Sequence, residues 1–209
     1  IGAVMSIVCA NAKNNDYAVI GIDLPNPQSY WKIKSINDGL FPIKSSDPKV
    51  EEFFNISKKR QNFFATYDNY AFSKADIIIV DINLDVDKKS TQKKDLLSFD
   101  VDLSPFKSAI TTISKNCKDD ALILVETTVP PGCCIKIVKP IIDKGLKIRK
   151  LSSKVKIAHS YERVMPGPNY VDSIVNFYRV YSGVDKISAD AAEIFLKTII
   201  STEEYPLTR

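Results

Sequence analysis

At 209 residues the chain is long enough for one substantial domain with a real hydrophobic core. Its 44% hydrophobic and 26% charged residues exclude the disordered, collagenous and low-complexity classes. Twenty-nine Lys and Arg against 25 Asp and Glu leave a net charge of only +4, without the long basic block that nucleic acid or an anionic membrane would call for. No run approaches the ~18 apolar residues of a membrane span, and no signal-peptide pattern opens the chain. The expectation is a soluble, cytoplasmic protein with no nucleic-acid or membrane partner.

Four cysteines, Cys9, Cys117, Cys133 and Cys134, form no CxxC pair, and His159 is the only histidine. Neither a disulfide framework nor a metal site is expected from these residues. Ile1 opens the chain directly on helix-spaced apolar residues, Val4, Met5, Val8, Cys9 and Ala12, so its true beginning is expected to be missing. Tyr17 to Asp23 then reads as a buried strand ending in an acid. After Pro25-Asn26-Pro27 a more polar helix is expected from about Ser29 to Asn37. Asp47 and Pro48 offer an N-cap and a first helical residue for a helix to Lys59. Asn62 to Tyr67 suits a short strand, and Ala75 to Ile82, nearly all apolar and β-branched, a central one.

A polar loop over about Leu84 to Phe99 precedes a helix from Ser104 to Lys115, then a strand from Ala121 to Thr128. Val129-Pro-Pro-Gly132 stops that strand, and a helix follows from Cys133 to about Asp143. Val155 to Tyr161 and Tyr178 to Ser182 read as further strands, and Ser188 to Ile200 as a last helix. Strands alternating with helices at these lengths predict βαβ units: an α/β fold with a doubly wound, mostly parallel sheet in one domain.

Ligands of such sheets bind beyond the carboxyl ends of the strands. That rule selects Gly2 at the first helix start, Asp23, Ile82-Asn83, Glu126-Thr127-Thr128 and Ser160-Tyr161-Glu162-Arg163. Asp23 lies about 20 residues beyond Gly2, where a dinucleotide fold sets an acid on the ribose hydroxyls and so favours NAD over NADP. A turn or cap role would explain the same aspartate. Thr127 and Thr128, held by two prolines and a glycine, form a rigid polar lip; an ordinary strand-to-helix connection with an N-cap threonine would look similar. Glu162 is suited to general-base work, or to an ion pair with Arg163 at the surface. Cys133 and Cys134 open a helix next to this lip, where a thiolate would be stabilised, although a packing role explains them as well.

In this order, the segments resemble the UDP-glucose/GDP-mannose dehydrogenases, which oxidise nucleotide sugars to uronic acids. Ile1-Gly-Ala matches the end of the family's GxGYVG loop, followed by Gly21-Ile-Asp23 and Ile36-Asn-Asp-Gly-Leu-Phe-Pro-Ile43. Ala75 to Val80, Glu126-Thr-Thr-Val-Pro-Pro-Gly132, Ser160-Tyr-Glu-Arg-Val-Met-Pro-Gly167, Arg179-Val-Tyr-Ser-Gly183 and Glu204-Tyr-Pro-Leu-Thr-Arg209 continue the match to the end of the chain. The wording looks most like the branch acting on UDP-N-acetylhexosamines, of the UDP-N-acetylmannosamine type.

The resemblance implies a Rossmann-like NAD-binding domain over residues 1–209, with the first strand and the start of the glycine-rich loop missing before it. It also implies that a central helix and a second, UDP-binding domain follow, with a homodimer in the full-length protein. The implied reaction takes the sugar's C6 alcohol to the carboxylate with two NAD+ in turn, for polysaccharide precursor synthesis. Its implied cofactor residues are Gly2, Asp23, Lys32, Asn83, Thr127 and Thr128. Thr128 would orient a water near the nicotinamide, and Glu162 would serve acid/base work at the sugar, beside Arg163, Val164 and Met165.

The family usually has Val-Pro-Thr where this chain has Val80-Asp81-Ile82, and proline where it has Tyr161. The family's nucleophilic cysteine lies beyond Arg209, so the 209-residue chain alone is expected to be inactive. Two other readings stay open at this point: a non-catalytic nucleotide-binding module, and another two-domain dehydrogenase of the hydroxyacid or 6-phosphogluconate type.

Overall fold

The computed structural model describes residues 2–13, 15–84 and 101–209. Helix α1 (Gly2–Ala10) buries Val4, Met5, Ile7, Val8, Cys9 and Ala10, more of its circumference than one amphipathic stripe would need. Strand β1 (Val19–Ile22) pairs in parallel with β2 (Phe63–Thr66), Val19 opposite Phe63 and Ile22 opposite Thr66. Two helices lie between these strands in sequence. In α2 (Pro27–Asn37) the Asn26 side chain accepts from the Ser29 amide, and Pro27 supplies the first-turn φ. Asp47 and Pro48 do the same for α3 (Pro48–Arg60).

The second sheet has the order β3-β4-β5-β6. Strands β3 (Ile77–Val80), β4 (Leu122–Val125) and β5 (Lys156–His159) are parallel, in register Ile77–Leu122–Lys156 to Val80–Val125–His159. All four residues of β4 are buried because helices cover both of its faces. Leu122 and Leu124 join the cluster formed with α1 and α7 (Lys186–Ile199). Ile123 and Val125 join that of α4 (Ser104–Asn116) and α5 (Lys139–Ile148). Full burial of each such side chain stabilises the fold by about 1.5–3 kcal/mol. Helices α4 and α5 approach closely at Gly145, where a Cβ would stand 2.8 Å from the Ser114 carbonyl oxygen.

The expected α/β class and the chain order of the elements match the structure, with three differences. Tyr178 to Ser182 does not form the expected strand: β6 is only Ser182–Gly183, and it runs antiparallel to β5. The backbone before it is engaged elsewhere, because Val180 bridges to Thr208 and Arg179 accepts from the Thr208 amide at 2.9 Å. The helix expected from Cys133 to Asp143 starts as a π turn, Cys134–Val138, and continues as α5 to Ile148. Pro140 lacks the N–H for a regular turn, which a widened turn accommodates. Finally, a 3-10 turn (Asn69–Ser73) and helix α6 (Tyr170–Val175) appear where no element was expected. Most of the expected polar loop, from residue 85 on, lies outside the described residues.

Among the described residues, β1 and β3 each pair on one side only. Val19 of β1 and Ile77 and Ile79 of β3 pack against the one apolar cluster to which α1 belongs.

Candidate active site

Within each sheet the parallel strands present their carboxyl ends at one edge, and the segments selected from the sequence follow those ends. Asp23 comes directly after β1, exposed, with its amide bonded to the Thr66 carbonyl at 3.2 Å and its Oδ1 accepting from the Leu24 amide at 2.7 Å. The turn role considered for Asp23 is thus real, but it occupies only one carboxylate oxygen of an exposed side chain. Thr66 also lines a cleft of about 510 Å³ with Ile33, Asn37, Ala65, Tyr67, Asp68 and Asn69. Asn37 fixes its floor, donating Nδ2–H to the Ala65 carbonyl and accepting from the Ala65 amide, both at 2.8 Å. Lys32 is half-buried on the same helix, α2.

At the end of β4 the two threonines part company. Thr127 is buried; its hydroxyl accepts from the Ile82 amide at 2.8 Å and donates to the Val80 carbonyl at 3.2 Å, tying the ends of β3 and β4 together. Its own carbonyl accepts from His159 Nε2 at 3.2 Å. Thr128 is the exposed hydroxyl of the lip. The lip ends at Gly132, whose φ of +82° lies in the region that favours glycine. Asn83 stands exposed just past β3.

Glu162 is half-buried after β5; its Oε2 accepts from the Val164 amide at 2.5 Å, and its own amide donates to the Glu126 carbonyl at 3.4 Å. The ion pair with Arg163 considered from sequence does not form. The Arg163 guanidinium lies 5.0 Å over the Phe177 ring, a cation–π contact that turns it away. Val164 packs on the core, while Met165 is exposed and donates its amide to Ser173 Oγ at 3.1 Å.

Three charged residues that the sequence patterns contain without giving them a role, Glu126, Arg179 and Asp81, meet here. Glu126 and Arg179 are both buried and pair at 3.2 Å. Burial pushes the Glu126 carboxyl up to about 7; Arg179 opposes the rise, while the charges of Asp81 and Glu162 add to it. Asp81, directly after β3, is also pushed up by burial, with Glu162 adding to it. Its Oδ2 and Glu126 Oε2 are buried without a hydrogen-bond partner, and Asp81 Oδ2 lies 3.4 Å from where a Cβ on Gly2 would stand. The sequence signals were an acid in place of the family's usual residue at 81 and an acid continuing the fully buried strand at 126.

The stabilised thiolate considered at Cys133 and Cys134 is not what this environment produces. Burial raises both thiols, Cys134 to about 12. The helix here opens as a π turn, and Cys133 is buried. Among the described residues, no group of three or more His, Cys, Asp or Glu side chains could hold a metal ion, and no helix is long and apolar enough to cross a membrane.

The profile of the UDP-glucose/GDP-mannose dehydrogenase family, NAD binding domain, matches residues 1–199. A UDP-N-acetyl-D-mannosamine dehydrogenase of Methanococcus maripaludis is 27% identical over 194 residues, covering 92% of this chain and 39% of that protein. A UDP-glucose 6-dehydrogenase of Rickettsia prowazekii is 26% identical over 183 residues, 83% of this chain and 38% of that protein. The crystal structure of an NDP-N-acetyl-D-galactosaminuronic acid dehydrogenase from Methanosarcina mazei superposes on the whole chain with a TM-score of 0.85 at 24% identity, over 41% of its own length. The chain thus spans about two-fifths of the relatives it matches. By its fold, the order of its strand-end motifs and this match, the chain belongs to the UDP-glucose/GDP-mannose dehydrogenase family, as its NAD-binding domain.

Proposed function

We propose that this chain is the NAD-binding part of an enzyme that oxidises the C6 alcohol of a UDP-sugar, of the UDP-N-acetylhexosamine type, to the uronic acid. The observation that carries the reading is the placing of Thr128 and Glu162 just past the adjacent parallel strands β4 and β5, with Asp23 just past β1. A module that only binds nucleotides would need the Asp23 side alone. A UDP-N-acetyl-D-mannosamine dehydrogenase among the relatives supports the hexosamine.

The residues present fit the adenosine half of NAD. Asp23 stands beside the Thr66 cleft, and its exposed carboxylate can accept from ribose hydroxyls while repelling a 2′-phosphate. Lys32 is the cation of this half. Gly2, without a side chain at the start of α1, and Asn83, just past β3, serve the diphosphate. Bound NAD supplies the hydride acceptor. Thr128 then holds a water by its exposed hydroxyl, while Thr127 keeps the lip in place. Glu162 takes or returns a proton at its carboxylate, and Arg163, Val164 and Met165 border the sugar. The open edges of β1 and β3 support a further parallel strand between them, supplied by residues before Gly2. The nucleophilic cysteine, the UDP-binding domain and the homodimer contacts belong to the part after Arg209, and the site of action is the cytoplasm.

Calorimetry on the complete protein tests the cofactor half of this reading. NAD is expected to bind more tightly than NADP, and Asp23→Ala to weaken NAD binding by roughly 1–3 kcal/mol, the loss of a charge-assisted hydrogen bond. Equal affinities for NAD and NADP in the unmutated protein would remove Asp23 from the ribose.

A further inference from the structure

Glu162 is carried on a segment held from behind by two buried residues, Glu126 and Arg179. Its amide donates to the Glu126 carbonyl at 3.4 Å. Two residues earlier, the Ser160 carbonyl accepts from Arg179 Nη1 at 3.4 Å, and the same Nη1 bonds Glu126 Oε1 at 3.2 Å. Ser160 Oγ in turn donates to the Val180 carbonyl at 2.9 Å. Arg179 is itself anchored, because its carbonyl accepts from the Thr208 amide while Tyr181 donates to the Thr208 carbonyl, both at 2.9 Å. Arg179 therefore links the end of β4 and the end of β5 through its guanidinium, and the segment around Thr208 through its backbone carbonyl.

We propose that the Glu126–Arg179 pair is a positioning device for Glu162, fixing the backbone that carries this carboxylate and thereby setting turnover while leaving ligand affinity unchanged. The proposal rests on the function proposed above. A pair kept for stability alone would be a poor solution here, since buried ions are costly to desolvate and apolar residues of similar volume often serve as well. This pair is not even fully satisfied, because Glu126 Oε2 has no partner. What an apolar pair could not provide is a directed bond to the Ser160 carbonyl. Directed hydrogen bonds from side chains that are themselves locked in place hold a reacting group within the tight tolerance that catalysis demands.

The test uses the complete protein with Arg179→Met and Arg179→Lys, read by site-resolved amide exchange and by steady-state kinetics. Arg179→Met is expected to speed exchange at the Glu162 and Val164 amides by ~10-fold or more, while the β1–β2 amides keep their protection. Turnover should fall by ~10-fold or more with KM for NAD and nucleotide sugar within about threefold, and Arg179→Lys should restore most of both. Unchanged exchange at Glu162, a uniform loss of protection throughout the domain, or a change confined to KM would overturn the proposal. If Arg179→Met does not fold, Glu126→Gln, which keeps the shape and removes the charge, answers the same question by the same readouts. If the unmutated protein oxidises no nucleotide sugar, the function proposed above fails, and the exchange measurement still decides whether the pair positions Glu162.

Discussion

Glu162→Gln in the complete enzyme is expected to lower turnover by ~10²–10⁴-fold, the range for a lost acid/base group, with NAD and nucleotide-sugar binding nearly intact. The geometry makes this substitution discriminating. Oε2 of Glu162 staples its own loop by accepting from the Val164 amide, and Arg163 lies over Phe177 instead of pairing with the carboxylate. Glutamine keeps an acceptor oxygen for the staple but cannot exchange a proton as a carboxylate does. If the later, hydrolytic half of the reaction needs that proton transfer, a covalent enzyme–sugar adduct should accumulate and be visible by intact mass. A glutamate serving only as a loop staple gives near-normal turnover and no adduct.

The second large effect is a pH dependence of stability carried by Glu126. Burial raises its carboxyl from the ordinary 4.5 to about 7 in the folded protein, so the folded state holds this proton more tightly than the unfolded chain. Its contribution to stability is therefore complete below the unfolded value and is lost as pH rises through about 7. The full difference corresponds to about 3 kcal/mol. Chemical denaturation of the native protein and of Glu126→Gln, at about pH 5 and about pH 8, isolates it from the other carboxylates. The native protein should lose stability relative to the variant as pH rises. Parallel stabilities at both pH values would show that Arg179 keeps Glu126 ionised throughout.

The legible parts of this protein were those where local chemistry and tertiary context agree. Asp47-Pro48 announced a helix start because cap and φ restriction act within four residues, whereas Asn26-Pro27, read as a break before a helix from about Ser29, is itself the cap and first residue of α2. The β-branched run ending at Val80 could hardly be anything but a buried strand, and Val129-Pro-Pro-Gly132 marked where its neighbour stops. The segment 178–182 misled because its alternation, Arg179 and Tyr181 inward with Val180 outward, is that of a strand. Its backbone partner is Thr208, a long-range pairing that no local pattern encodes. The same limit hid the site's electrostatics. Glu126 and Arg179 are 53 residues apart, and only the fold shows that they share a buried space behind Glu162. Periodicity also missed α6, six residues being too few to show a helical repeat.

The most direct measurement of the central claim is the stoichiometry of NADH formed per UDP-N-acetylhexosamine consumed by the complete protein, with the sugar product identified by mass. Oxidation of an alcohol to a carboxylate removes four electrons, so about two NADH per uronic acid are predicted, each hydride acceptor taking two electrons. One NADH with an aldehyde or ketone product, or no NADH from any UDP-sugar while NAD still binds, would contradict the account.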